Sequence, residues 1–136
     1  MNYFICTIEK FKVGIPASFT ERIIPSNRDQ KTIIEITDSE IGGQMRFISI
    51  PLILNIQNVP VPHGIIIKSA VLGFKKPCKT VFLLPPIETS IDIPDHDIKL
   101  LPESFGTFYG YFSGVCFSGK DMILLLNPKA IAEKLT

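Results

Sequence analysis

The sequence predicts a mainly β domain of many short strands with one short C-terminal helix, and three observations predict it. Eleven prolines are scattered among short β-branched runs, which leaves no room for long helices and suits barrels or sandwiches with many turns. The last third of the chain, Gly114 to Leu135, has the pattern of a hairpin followed by a helix. Hydrophobic residues make up 46% and charged residues 20%, a balance that places the chain in the globular class and outside the disordered one. At 136 residues it is expected to form a single domain, 1–136. A chain of this length buries roughly two thirds of the surface its unfolded form exposes, so it needs no staples.

From the N-terminus, Tyr3 to Ile8 is β-rich, Glu9-Lys10 turns, and Phe11 to Pro16 alternates apolar with small or polar residues, which predicts a hairpin. Ala17 to Pro25 fits a helical turn running into a short strand that Pro25 ends. Ser26 to Lys31 is a polar loop. Thr32 to Thr37 is strongly β-branched, Ser39 to Gly43 breaks it, and Met45 to Leu54 resumes as a bent strand or strand pair in which Pro51 must lie at an edge or a bend. Asn55 to His63, with Pro60 and Pro62, is an extended loop. Strands follow over Gly64 to Leu72 and Lys79 to Leu84, separated by Lys75-Lys76-Pro77.

Pro85-Pro86 interrupts, and Ile87 to Ile93 resumes with alternation. Asp95 is placed to cap one helical turn through Leu101. Pro102 to Gly106 is loop and Thr107 to Phe112 an aromatic strand. Val115 to Phe117 and Met122 to Leu126 then flank the turn Ser118 to Asp121. Asn127 can cap the orphan N–H groups of a following helix, Pro128 fits its first position, and Ile131 and Leu135 fall on one face. No fixed-period repeat or low-complexity segment is visible.

Charge nominates no partner. The formal net charge is +1 and the pI about 7.7, so there is no broad field to attract nucleic acid or anionic lipid. Cys6, Cys78 and Cys116 are odd in number and far apart, which argues against a disulfide framework and a zinc site and for reduced, buried thiols. The opening Met-Asn-Tyr-Phe-Ile-Cys has no basic leader, and no apolar run approaches the roughly 20 residues a spanning helix needs. A cytoplasmic protein without membrane insertion is expected.

The order of features resembles a known family. The opening hairpin with Phe11-Lys12-Val13-Gly14-Ile15-Pro16, followed by Glu21-Arg22-Ile23-Ile24-Pro25, is similar to the start of the CheW family of bacterial chemotaxis coupling proteins. Thr80 to Leu84, Ile87 to Pro94 and Asp97 to Pro102 resemble the family's central passage. Gly114-Val115, Gly119, Met122 to Leu126 and Asn127-Pro128 resemble its ending. Pro85 and Asn127 stand where the family usually has aspartate. The family's arginine-glycine pair would fall near Gly42-Gly43, where no arginine stands and Arg46 is the nearest substitute. That departure bears on receptor docking more than on the fold.

The resemblance implies two small SH3-like β-barrel subdomains side by side, interleaved in sequence, with no catalytic centre and no cofactor. It implies an adaptor or scaffold that couples a CheA-type histidine kinase, through the kinase's regulatory domain, to methyl-accepting chemoreceptors. The alternative is a stand-alone module of the same fold in another signalling or motility complex. Such proteins work through strand edges and apolar patches.

Weighed residue by residue, the chemistry is sparse. His63 and His96 are the only histidines, and Asp95-His96-Asp97 is better explained by a capped turn than by a metal. Ser113-Gly114 lacks the Gly-x-Ser-x-Gly elbow. Phe105 to Phe112 lacks the flanking basic residues of an RNA-stacking strand, so its rings are assigned to packing. Lys75-Lys76-x-x-Lys79 is assigned to a solvated loop. Met45, Arg46, Phe47, Ile48 and Ile50 are the candidate partner-binding residues. Alternation fails there and apolar residues occupy both faces, as in a strand buried between two barrels or an edge that pairs with a partner. Burial is the preferred reading.

Overall fold

The computed structural model describes residues 1–25, 33–38, 43–68, 78–101, 106 and 110–134. Among them, ten strands form two five-stranded sheets. The chain divides into two units: unit 1 combines Met1–Phe19 with Ile87–Thr136, and unit 2 is the continuous stretch Thr20–Pro86.

Unit 1 opens with β1 (Asn2–Ile8) and β2 (Phe11–Pro16), paired from Ile8 opposite Phe11 to Tyr3 opposite Pro16. The turn places Glu9 at φ 53, a left-handed conformation unusual for a residue with a side chain. A tight helical turn, Ala17–Phe19, leads out. Unit 2 holds β3 (Thr20–Pro25), β4 (Ile33–Asp38), β5 (Gly43–Ser49), α1 (Ile50–Ile53), β6 (His63–Ile67) and β7 (Cys78–Leu84). The chain then returns to unit 1 with β8 (Thr89–Asp92), a turn at Asp95–Asp97, β9 (Phe112–Ser118), β10 (Asp121–Leu126) and α2 (Pro128–Lys134).

The sheet orders are β8-β1-β2-β10-β9 and β3-β6-β7-β5-β4. They share one plan. A central strand, β2 or β7, has an antiparallel neighbour, β1 or β6, and a parallel one, β10 or β5, and each neighbour carries an antiparallel edge strand. In chain order, β1–β5 and β6–β10 are therefore two runs of the same plan, with the first two strands of each run joined to the last three of the other. Each run ends in a short helix, α1 or α2. The repeat is one of strand pairing.

In unit 1 the core cluster is Tyr3, Ile5, Ile93, Cys116, Ile123 and Leu125. In unit 2 it is Met45, Phe47, Val61, Ile66, Val81 and Leu83. Full burial of a side chain such as these isoleucines, leucines or phenylalanines stabilises by about 1.5–3 kcal/mol. Gly14 lets the first core close, because a Cβ on it would lie 2.9 Å from Leu125 Cδ2. The one bridge Lys99↔Val115 ties the segment after β8 to the far edge strand β9. Among the described residues the pairing otherwise gives two five-stranded sheets.

Several expectations are met and others are corrected. The 115–126 hairpin forms, with Gly119 at φ 61 in its turn. The Asn127 side-chain oxygen accepts the Ala130 N–H at 3.2 Å, and Pro128 opens α2. The run 45–54 is not one bent strand: β5 stops at Ser49, and Pro51, which has no N–H to give a ladder, sits in the first turn of α1. Asp95 is not a cap. It lies inside the turn, where the Pro94 and Asp95 carbonyls accept the Asp97 and Ile98 N–H groups. Gly110 and Tyr111 form a tight helical turn instead of a strand, and Phe112 begins β9. The expectations for 26–32, 39–42, 69–77, 102–105, 107–109 and 135–136 fall outside the described residues.

Two substitutions test this account. Asn127→Ala is expected to lower the unfolding free energy by about 1 kcal/mol through loss of the cap, read by urea denaturation. Gly14→Ala is expected to cost about 1–2 kcal/mol by overpacking against Leu125, with an unchanged denaturant slope.

Candidate interaction surface

The five candidate residues of the 45–50 stretch lie in the interior. Met45 and Phe47 are 2% exposed, Ile48 and Ile50 0%, and Arg46 5%. β5 is flanked by β4 and β7, so it offers no edge either. Met45 and Phe47 point into the unit 2 core with Val81, while Arg46 and Ile48 fall on the other face beside their register partners Thr80 and Phe82. The failed alternation thus marks a strand buried on both faces.

Arg46 carries its charge into this interior, with Thr80 at its register position on β7 and Glu35 at its register position on β4. The hydroxyls of Ser49 and Thr80 are buried without a hydrogen-bond partner. An unsatisfied buried hydroxyl costs about 1–3 kcal/mol, so the stretch is held by apolar packing in spite of these groups.

The other nominated groups separate. His63 begins β6 in unit 2, and His96 sits on the exposed turn of unit 1, its Nε2 3.4 Å from Asp97 Oδ1. Among the described residues, no three His, Cys, Asp or Glu side chains are grouped to hold a metal. Lys79 forms an ion pair with Glu21 at 2.8 Å, and Lys75 and Lys76 lie outside the described residues. Of the aromatic stretch, Phe112 is buried and Tyr111 lies under Lys134, whose Nζ is 5.2 Å from the ring centroid.

Cys6 and Cys116 are buried free thiols. Burial, with a smaller contribution from Glu88, pushes the Cys6 thiol up to about 12. Burial also raises Cys116, with Asp97 adding to it, and raises the Tyr3 phenol, with Asp95 and then Cys116 adding. Thiols held protonated in this way are poor nucleophiles.

Sequence reasoning missed a cleft of about 270 Å³ at one end of the unit 1 sheet. Met1, Tyr3, Pro16 and Phe19 form part of its wall, and Ser113, Leu126 and the Asn127-Pro128 start of α2 form the rest. These residues come from the ends of four strands, β1, β2, β9 and β10, and from two helical turns, so only the strand pairing brings them together. Exposed apolar side chains also remain at Ile23, Leu100 and Phe117. Among the described residues, no helix is long and apolar enough to cross a membrane.

Two sheets of this plan, one built from the two outer parts of the chain, make a fold found in a solved structure. The crystal structure of the scaffolding protein TtCheW from Thermoanaerobacter tengcongensis matches this chain with a TM-score of 0.70 at 14% identity, covering 93% of this chain and 83% of that one. No family model matches the sequence, and no curated protein matches it. The shared property is therefore the fold.

The raised Cys6 thiol predicts a pH dependence with a definite sign. Between its ordinary value of 9.0 and about 12 the unfolded chain loses this proton while the folded chain keeps it. Stability from this group is thus complete below pH 9.0 and falls as pH climbs towards 12. The slope approaches about 1.4 kcal/mol per pH unit. Urea denaturation from neutral to alkaline pH should show a shallower decline for Cys6→Ala than for the native chain.

Proposed function

We propose that this protein is a non-catalytic scaffold of a chemotaxis-type signalling complex, working in the cytoplasm by binding a CheA-type histidine kinase through its regulatory domain and a methyl-accepting chemoreceptor. The observation that carries this reading is the match to the fold of a scaffolding protein over 93% of the chain, in a sequence whose hairpin, central and terminal motifs resemble those of the CheW family in their order. The scattered histidines and the protonated, buried thiols agree with a protein that acts by offering surface. On this reading each sheet belongs to a partly open SH3-like barrel, with the Lys99↔Val115 bridge as the closing contact of the first. Met45, Arg46, Phe47, Ile48 and Ile50 then serve as the packed support of the docking face.

A second reading is a module of the same fold that serves another signalling or motility complex. It is favoured by the absence of an arginine beside Gly42-Gly43, where the resemblance would place a receptor-docking one. Co-purification with the regulatory domain of a CheA-type kinase separates the two. Retention of the kinase domain at micromolar concentrations is expected, and a clean failure there would turn the assignment to the second reading.

A further inference from the structure

The unit 1 cleft adjoins the most acidic stretch of the chain. From Ile87 to Ile98 the sequence holds four carboxylates, Glu88, Asp92, Asp95 and Asp97, and no lysine or arginine. All four are exposed. The stretch contains the edge strand β8 and the turn after it. Met1 joins the two features. It lines the cleft, its carbonyl accepts the Ile93 N–H at 3.0 Å, and its ammonium lies 3.1 Å from Asp92 Oδ1. Tyr3, another wall residue, pairs with Ile91 of β8. The Asp92 side chain keeps 70% exposure despite its ion pair. On the β8 side the Met1 ammonium offsets one carboxylate of the four, and Lys129 follows Pro128 on the α2 side.

Size and lining define the occupant. The cleft's volume of about 270 Å³ exceeds the roughly 150 Å³ cavity that holds benzene and falls short of the about 300–1,000 Å³ of pockets for drug-sized ligands. That is room for one bulky side chain. Tyr3, Pro16, Phe19, Leu126 and Pro128 make the wall mainly apolar. Glu88 lies at the far end of β8, against Ile5 and Thr7, whereas Asp92 pairs with the wall residue Met1 and Asp95 acts on the wall residue Tyr3, so these two carboxylates are the ones placed to attract cations.

We propose that this cleft docks an extended segment of a partner protein that inserts one bulky apolar side chain, with flanking lysine or arginine residues meeting Asp92 and Asp95. The inference rests on the scaffold reading for there being a partner at all, and on the cleft and its rim for the chemistry of the docked segment.

Fluorescence anisotropy with three labelled synthetic peptides tests it: one with a Lys-Lys-Phe-Lys-Lys centre, one with Ser in place of Phe, and one with Glu in place of every Lys. The first peptide is expected to bind at least about tenfold more tightly than either control, with the advantage over the Glu peptide shrinking as salt is raised. Ser113→Leu, which fills the cleft from an exposed position, and the double variant Asp92→Lys/Asp95→Lys should each remove that preference. Equal binding of the Ser peptide, or an unchanged preference in Ser113→Leu with native circular dichroism, overturns the proposal. If Ser113→Leu does not fold, an unchanged preference in the double variant overturns it. Absence of binding by every peptide also overturns it and leaves the kinase co-purification result standing. Loss of the kinase with peptide binding intact counts against the scaffold reading alone.

Discussion

Each sheet depends on a parallel pairing at its centre, β2 with β10 and β7 with β5. Antiparallel neighbours can be joined by a two-residue turn, but parallel neighbours need a crossover. In unit 2 that crossover runs through α1, the 54–62 loop and β6. In unit 1 everything between β2 and β10 serves as the connection, including the whole of unit 2. The division of unit 1 into two separated stretches of sequence follows from that single pairing.

Local structure was legible in the sequence, and long-range pairing was not. The Glu9-Lys10 and Gly119-Lys120 turns, the Pro16 and Pro25 strand ends, and the Asn127-Pro128 helix start are written in a few adjacent residues, so residue chemistry was enough to find them. The β5–α1 junction is hidden in the sequence because apolar residues run from Met45 to Leu54 with only Arg46 and Ser49 between them. Pro51 signalled a break without saying that the chain would turn helical there. The two-run plan escaped notice because it is a pattern of partners. The interior position of the 45–50 stretch was legible in part, since apolar residues on both faces of a strand require cover on both. The cleft was not, since Tyr3, Phe19, Ser113 and Pro128 become neighbours only after β1, β2, β9 and β10 have paired.

The placement of polar groups also limits what the chain can do. Arg46, Ser49 and Thr80 are buried in unit 2, while Glu88, Asp92, Asp95 and Asp97 are exposed along one margin of unit 1. The buried Ser49 and Thr80 hydroxyls cost stability and the exposed carboxylates cost little, because exposed charges remain solvated and neighbouring carboxylates repel weakly in water. A binding role for the acidic margin therefore asks little of the fold. The buried arginine is the more exacting feature, since an interior guanidinium restricts the arrangements that the surrounding strands can adopt.

The order of strands along the chain has a consequence for how the molecule is made. Once Leu84 has left the ribosome, all five strands of unit 2 are available to pair. The first hairpin, although synthesised earlier, gains its parallel neighbour only when Leu126 emerges. Through most of translation the nascent chain carries an unfinished sheet with β2 bare on one side, a strand edge of the kind that recruits chaperones or stray strands.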